Sequence, residues 1–176
     1  MIPVLVSERN EPNAAKLKDC GWASGMMLAQ KAGVRLPLGV TVAEREALER
    51  AQTVKAPETG TNITALLQAV HNRYGLQLKA YAHGTLAQKL ASSTTTGFWI
   101  AADWHLMPEH YQRWDKAFAA HSPAMHAVYI EPRPAGQVWL MDPLAPWGYT
   151  GELAPASAIL RASSGLSYTF VRQPAG

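Results

Sequence analysis

KDCGWASGMMLAQ, residues 18–30, carries the only cysteine in a chain of 176 residues. Asp19 is a favourable helix N-cap. Trp22, Ala23, Met26, Met27 and Ala29 then keep one helical face apolar, with no proline to interrupt it. The pattern predicts a buried helix with Cys20 in its first turn. There the unpaired backbone N–H groups and the positive end of the helix dipole favour a thiolate, the nucleophilic form of sulfur. Gly21, without a Cβ, leaves room for a substrate backbone to approach that sulfur. A free cysteine is also a common small apolar core residue, and the helix by itself does not choose between the two readings.

The remaining sequence narrows the choice. The length suits one domain with a sizeable core, expected to span residues 1–176. One cysteine excludes an intramolecular disulfide and any cysteine-rich zinc site. The formal charge is +3 and the sequence pI about 9.1, with lysine and arginine scattered along the chain. That is too mild for a dedicated nucleic-acid binder, though it suits an anionic polymer such as a cell wall. No apolar run approaches the length of a membrane span, and the start lacks a cationic-then-apolar signal segment. Neither a nucleic acid nor a membrane is therefore expected as a partner. The reading is cytoplasmic synthesis, with delivery elsewhere by another route.

Along the chain, residues 1–18 read as an extended arm, and Gly33 as the cap that ends the cysteine helix. TVAE at 41–44 is a capping-box pattern opening a charged helix to about residue 51. Ile63, Leu66, Leu67 and Val70 space a helix over 62–74, closed by Gly75. Strands are expected at 76–82, 97–101, 126–131, 137–142 and 166–172, with short helices at 85–91 and 155–161. Residues 103–120 contain Trp104, His105, His110, Tyr111 and Trp114. They read as a loop and a helix after Pro108 that either wall a cleft or fill core between layers. The final QPAG resembles the start of a linker, as in one module of a longer protein. Helices first and strands later argue for an α+β domain, a helical half at about 1–93 on an antiparallel sheet half at about 94–172.

A cysteine nucleophile needs a base within reach and a group to orient that base. PRPAG at 132–136 separates two of the strands. If the turn is centred on Pro134, His126 lies opposite Asp142, Val128 opposite Leu140 and Ile130 opposite Val138, all on one face. That apolar face is expected to pack on the helical half, bringing His126 and Asp142 to Cys20.

DCGWAS, then HAVYI, then VWLMDP together resemble the papain-like cysteine peptidases, especially the bacteriocin-processing (double-glycine) branch. The resemblance spans residues 19–143 and implies a papain-like fold. It gives Cys20 as nucleophile, His126 as general base and then acid, and Asp142 as the orienting group. Relatives usually carry a glutamine about six residues before the cysteine. Ala14 stands there in this chain, so the oxyanion donors would be the Asn13 side chain and the Cys20 backbone N–H. Gly21, Trp22, Trp104 and His105 are candidate walls of the substrate cleft. Asp103, His105, Glu109 and His110 match no standard metal-ligand spacing, so no metal and no cofactor is called for. The expected activity is cysteine-dependent hydrolysis of amide bonds in a peptide or in peptidoglycan. The basic pI, the absent signal segment and the linker-like end lean it toward a lysin-type endopeptidase. A leader-peptide or polyprotein-processing peptidase and a catalytically silent binding module are the alternatives.

Overall fold

A computed structural model describes residues 3, 5, 7, 20–35, 55–56, 60–61, 63–92, 95–114, 125–163, 165 and 167–172. Asp19, Asn13, the capping-box helix at 41–51 and the terminal QPAG lie outside the described residues.

The cysteine helix, α1 (Cys20–Lys31), buries every residue from Gly21 to Ala29, as a helix at the centre of a domain must. Gly33 ends it in the left-handed region, with φ 94°. The Val34 N–H then donates to the Ala29 carbonyl at 3.0 Å, closing the helix in a Schellman motif. α2 (Ile63–Tyr74) buries Leu66, Ala69 and Val70 and stops at Gly75, the residue expected from its left-handed freedom. A two-residue ladder joins β1 (Lys55–Ala56) to β2 (Gly60–Thr61).

The remaining elements are β3 (Leu76–Tyr81), α3 (His83–Ala91), β4 (Phe98–Asp103), β5 (Met125–Arg133), β6 (Gln137–Met141), β7 (Glu152–Pro155), α4 (Ala156–Ala162) and β8 (Ser167–Arg172). Strands β3 to β8 form one antiparallel sheet in the order β3-β8-β4-β5-β6-β7. β3 comes from before residue 94 and α4 from after it, so helical and sheet segments interleave along the chain. A 3₁₀ turn, Trp104–Leu106, precedes Pro108, and a second, Glu109–Gln112, follows it where a helix is expected; residues 115–120 of that segment lie outside the described residues. Among the described residues no helix is long and apolar enough to cross a membrane.

Both faces of the sheet are covered. On one, Trp22, Met26 and Met27 of α1 and Leu66 and Val70 of α2 pack with Ala127, Tyr129 and Met141. On the other, Leu86 and Leu90 of α3 and Ile159 of α4 pack with Phe98, Ile100, Val128, Ile130, Val138 and Leu140. This explains the unbroken apolar run at AVYI, since a strand buried on both sides has no polar face to alternate with. Gly97 is required at the start of β4, where a Cβ would run into the buried ring of Tyr129.

The pairing of β5 with β6 corrects the expected register. Ile130 lies opposite Leu140 and Arg133 opposite Gln137, so the hairpin is centred one residue beyond Pro134. Ala135 and Gly136 take positive φ, 59° and 68°. Proline, fixed near −65°, cannot supply a left-handed turn residue. Pairing moves by two positions, which preserves the face each side chain occupies. The face itself is also corrected. His126, Val128 and Ile130 point away from α1, toward Trp104, α3 and α4.

At the far end of α1, Glu131 is buried at 1% exposure. It accepts from Lys31 at 2.9 Å, Arg133 at 3.0 Å and the Tyr129 hydroxyl. Burial pushes its carboxyl up, but the hydrogen bonds from Tyr129, Lys31 and Arg133 outweigh that and hold it below the usual carboxylate range.

Candidate active site

The site forms at one end of the sheet. Cys20 is the first residue of α1 and is half-buried. Three hydrogen bonds fix that end of the helix to the sheet. The Trp99 indole Nε1–H donates to the Gly21 carbonyl at 3.0 Å, and the Ser24 hydroxyl donates to the Ala127 carbonyl at 3.0 Å. The Ala127 N–H donates to Cys20 Sγ at 3.5 Å. Because Cys20 stands at the helix tip, it meets β5 where His126, the second residue of that strand, is placed.

His126 is 3% exposed and Asp142 2%. His126 Nε2 donates to Asp142 Oδ1 at 2.7 Å, and Cys20 also acts on the imidazole. Asp142 follows the last residue of β6, and its Oδ1 also accepts from the Leu144 N–H at 2.9 Å. The Asp142-Pro143 pair is thus a turn starter and the partner of His126 at once. Trp104 meets the imidazole edge to face, with centroids 5.1 Å apart at 74°, and its indole donates to the Tyr111 carbonyl.

Cys20, His126 and Asp142, far apart in sequence, are therefore brought together. The other candidates fall differently. Gly21 and Trp22 are buried in α1, and Trp104 is fully buried against His126. His105 is exposed, its N–H donating to the Asp103 carboxylate. His110 pairs with Glu152 at 2.8 Å, beside the Arg113–Glu152 ion pair at 2.9 Å. Ser24 and Ala127 were not anticipated as site residues. The available signal was that Ser24 follows Cys20 by four positions and so shares its helix face.

Burial pushes the His126 imidazole down. The Asp142 charge and hydrogen bond, with help from Cys20, outweigh it and hold His126 well above its ordinary value. Between the unfolded value, about 6.5, and the higher folded one, the native protein holds a proton the unfolded chain lacks. The stabilisation is fully present below about pH 6.5 and disappears as pH rises through the folded value. The melting temperature should accordingly fall from pH 6.5 upward. His126→Gln should remove that component of the slope, as thermal melts in a pH series would show.

No family model matches the sequence, and no curated protein does. Solved structures do match. The chain is similar to the peptidase domain of Streptococcus ComA, a bi-functional ABC transporter involved in quorum sensing, with a TM-score of 0.62 at 15% identity, covering 98% of this chain and 100% of that one. It is similar to a C39-like peptidase from Bacillus anthracis, with a TM-score of 0.61 at 12% identity over 99% and 96% of the two chains. A double-glycine-motif protease from an AMS/PCAT transporter, solved in complex with the leader peptide, matches with a TM-score of 0.54 at 18% identity over 98% and 93%. The shared fold is that of C39 peptidase domains, a papain-like cysteine peptidase fold.

Proposed function

We propose that this chain, with the papain-like fold of the C39 peptidase domains, is a cysteine peptidase that cuts a leader-type peptide. The observation that carries the reading is the convergence of the Cys20 sulfur, the His126 imidazole and the Asp142 carboxylate at one end of the sheet. The Cys20 thiolate attacks the scissile carbonyl, and the carbonyl electrons move to oxygen. The N-terminal end of α1, including the Cys20 N–H, stabilises that oxyanion. As the intermediate collapses, the C–N bond breaks, and protonated His126 gives its proton to the leaving amine. A water then loses a proton to His126 and attacks the thioester, releasing the acid and restoring the thiolate. Asp142 keeps the imidazole turned toward the sulfur and stabilises its charged form.

A leader-type peptide is the favoured substrate over peptidoglycan. The lean toward a wall substrate rests on the basic pI, the absent signal segment and the linker-like end, none of which selects a bond. A C39-fold neighbour, by contrast, is a double-glycine protease solved with its leader peptide. The test incubates the protein with synthetic peptides carrying a double-glycine leader and, separately, with purified cell walls, reading products by mass spectrometry. Cleavage of the peptide, absent in Cys20→Ala, is expected. Release of wall fragments without peptide cleavage would return the reading to an endopeptidase. Peptide binding without cleavage, unchanged in Cys20→Ala, would make this a binding module.

A further inference from the structure

Ala127 is held in an unusual way. On one side of β5 it lies opposite Ala101 of β4. On the other side, β6 ends at Met141, opposite Tyr129, so no residue of that strand faces Ala127. The N–H and C=O of one strand residue point the same way, and here both are taken by α1. The N–H donates to Cys20 Sγ at 3.5 Å and the C=O accepts from Ser24 Oγ at 3.0 Å. Residues 20 and 24 are one helical turn apart, so a single residue of the sheet is gripped at both its N–H and its C=O by adjacent turns of the helix. Ser24 is 0% exposed. A mid-helix serine can bond back to its own helix; this one reaches across to the strand.

We propose that Ser24 is a positioning residue. Through the Ala127 carbonyl it sets the distance from the Ala127 N–H to the Cys20 sulfur, and this N–H is a donor that steadies the sulfur as an anion. The proposal rests on the peptidase reading for its consequence. A charged acceptor strengthens a hydrogen bond, so the Ala127 N–H favours the sulfur in its nucleophilic form. His126 is the preceding residue, so the same grip sets where the imidazole sits beside the thiol. A serine that merely satisfied a buried carbonyl would affect stability and leave thiol chemistry alone.

The test measures iodoacetamide alkylation of Cys20 at pH 6.5 in the native protein, in Ser24→Ala, and in a semisynthetic protein with an ester in place of the His126–Ala127 amide. The ester deletes the N–H while Ser24 stays intact, so it tests the donor to the sulfur alone, and a native rate in the ester overturns the proposal even if Ser24→Ala fails to fold. Each folded variant should react about tenfold more slowly than native, as expected for a hydrogen bond to a charged group. All should react alike in guanidinium. Native rates in both folded variants would overturn the proposal. Amide exchange at Ala127 separates this from failure of the peptidase reading. Should the native thiol be unreactive, loss of Ala127 protection in Ser24→Ala still supports the grip, and unchanged protection overturns it.

Discussion

Asp142→Ala is expected to slow peptide cleavage roughly a thousandfold or more, the order seen when the group orienting a catalytic histidine is altered. Two effects combine. His126 Nε2 loses its acceptor at 2.7 Å, so the ring is free to turn away from the sulfur. The charge that keeps His126 protonated also disappears. Of the influences on His126, burial acts downward, and Asp142 is the main one acting upward. Without Asp142, the imidazole should titrate lower than in the native protein, because burial still acts downward and only the smaller influence of Cys20 acts upward. Asp142→Asn separates the two effects. Its carbonyl can still accept from Nε2–H and from the Leu144 N–H, preserving orientation while removing charge. Its activity should fall between native and Asp142→Ala. NMR titration of His126 in the three proteins, beside their cleavage rates, checks this. A His126 that stays well above its ordinary value in Asp142→Ala would show that the carboxylate is not what charges it.

Glu131→Gln should produce the largest loss of stability, about 2–3 kcal/mol, somewhat below the usual cost of breaking a fully buried ion pair. The discount reflects that the Lys31 and Arg133 side chains are 16% and 24% exposed and keep part of their hydration. The amide retains one acceptor for Tyr129 or Lys31 but strands two cations beside a neutral group. For a chain this long the loss corresponds to a fall in melting temperature of roughly 5–10 °C. Because the Glu131 carboxyl lies below the usual range, its stabilisation is present above the unfolded value, and it fades as pH falls through the folded one. The difference between the two proteins should therefore shrink in acid. Glu131 sits at the opposite end of α1 from Cys20, roughly 16 Å away along the helix. Below the melting range, Cys20 alkylation should be unchanged in Glu131→Gln. A slower thiol in the folded variant would show the two ends of the helix to be coupled.

The parts of the fold readable in the sequence are those whose signals are local. α1 and α2 announce themselves by apolar spacing and by Gly33 and Gly75, and the structure ends each helix at those glycines. The β5–β6 hairpin is legible from PRPAG, but its register is not. The turn depends on which residues accept positive φ, and Ala135 gives no sign that it will. β7, with sequence ELAP, ends in proline and is only four residues long. It is tolerated because it lies at the sheet edge, and nothing local reveals that. Which face of β5 meets α1 was equally hidden. With both faces buried, AVYI has no polar side to orient it.

The candidate site was more legible than its surroundings. His126 and Asp142 share a face in either register, because a shift of two keeps parity, and their hydrogen bond survives the correction. Cys20 reaches them by a route the sequence did not suggest, around the strand end, because it is the first residue of a helix lying on the opposite face. Trp104 was readable as an aromatic near the site. Only packing reveals that it lies against the imidazole instead of lining an open cleft.

If Cys20 and His126 act as one chemical unit, the rate of Cys20 alkylation by iodoacetamide from pH 5 to 9 should differ between native protein and His126→Gln. The native thiol, which is half-buried, should react readily at pH 6, and His126→Gln at least about tenfold more slowly there, a hydrogen bond to a charged group being lost. The two should converge toward pH 9. A thiol that is inert until the protein unfolds, or one that reacts identically in both proteins at every pH, would contradict such a unit.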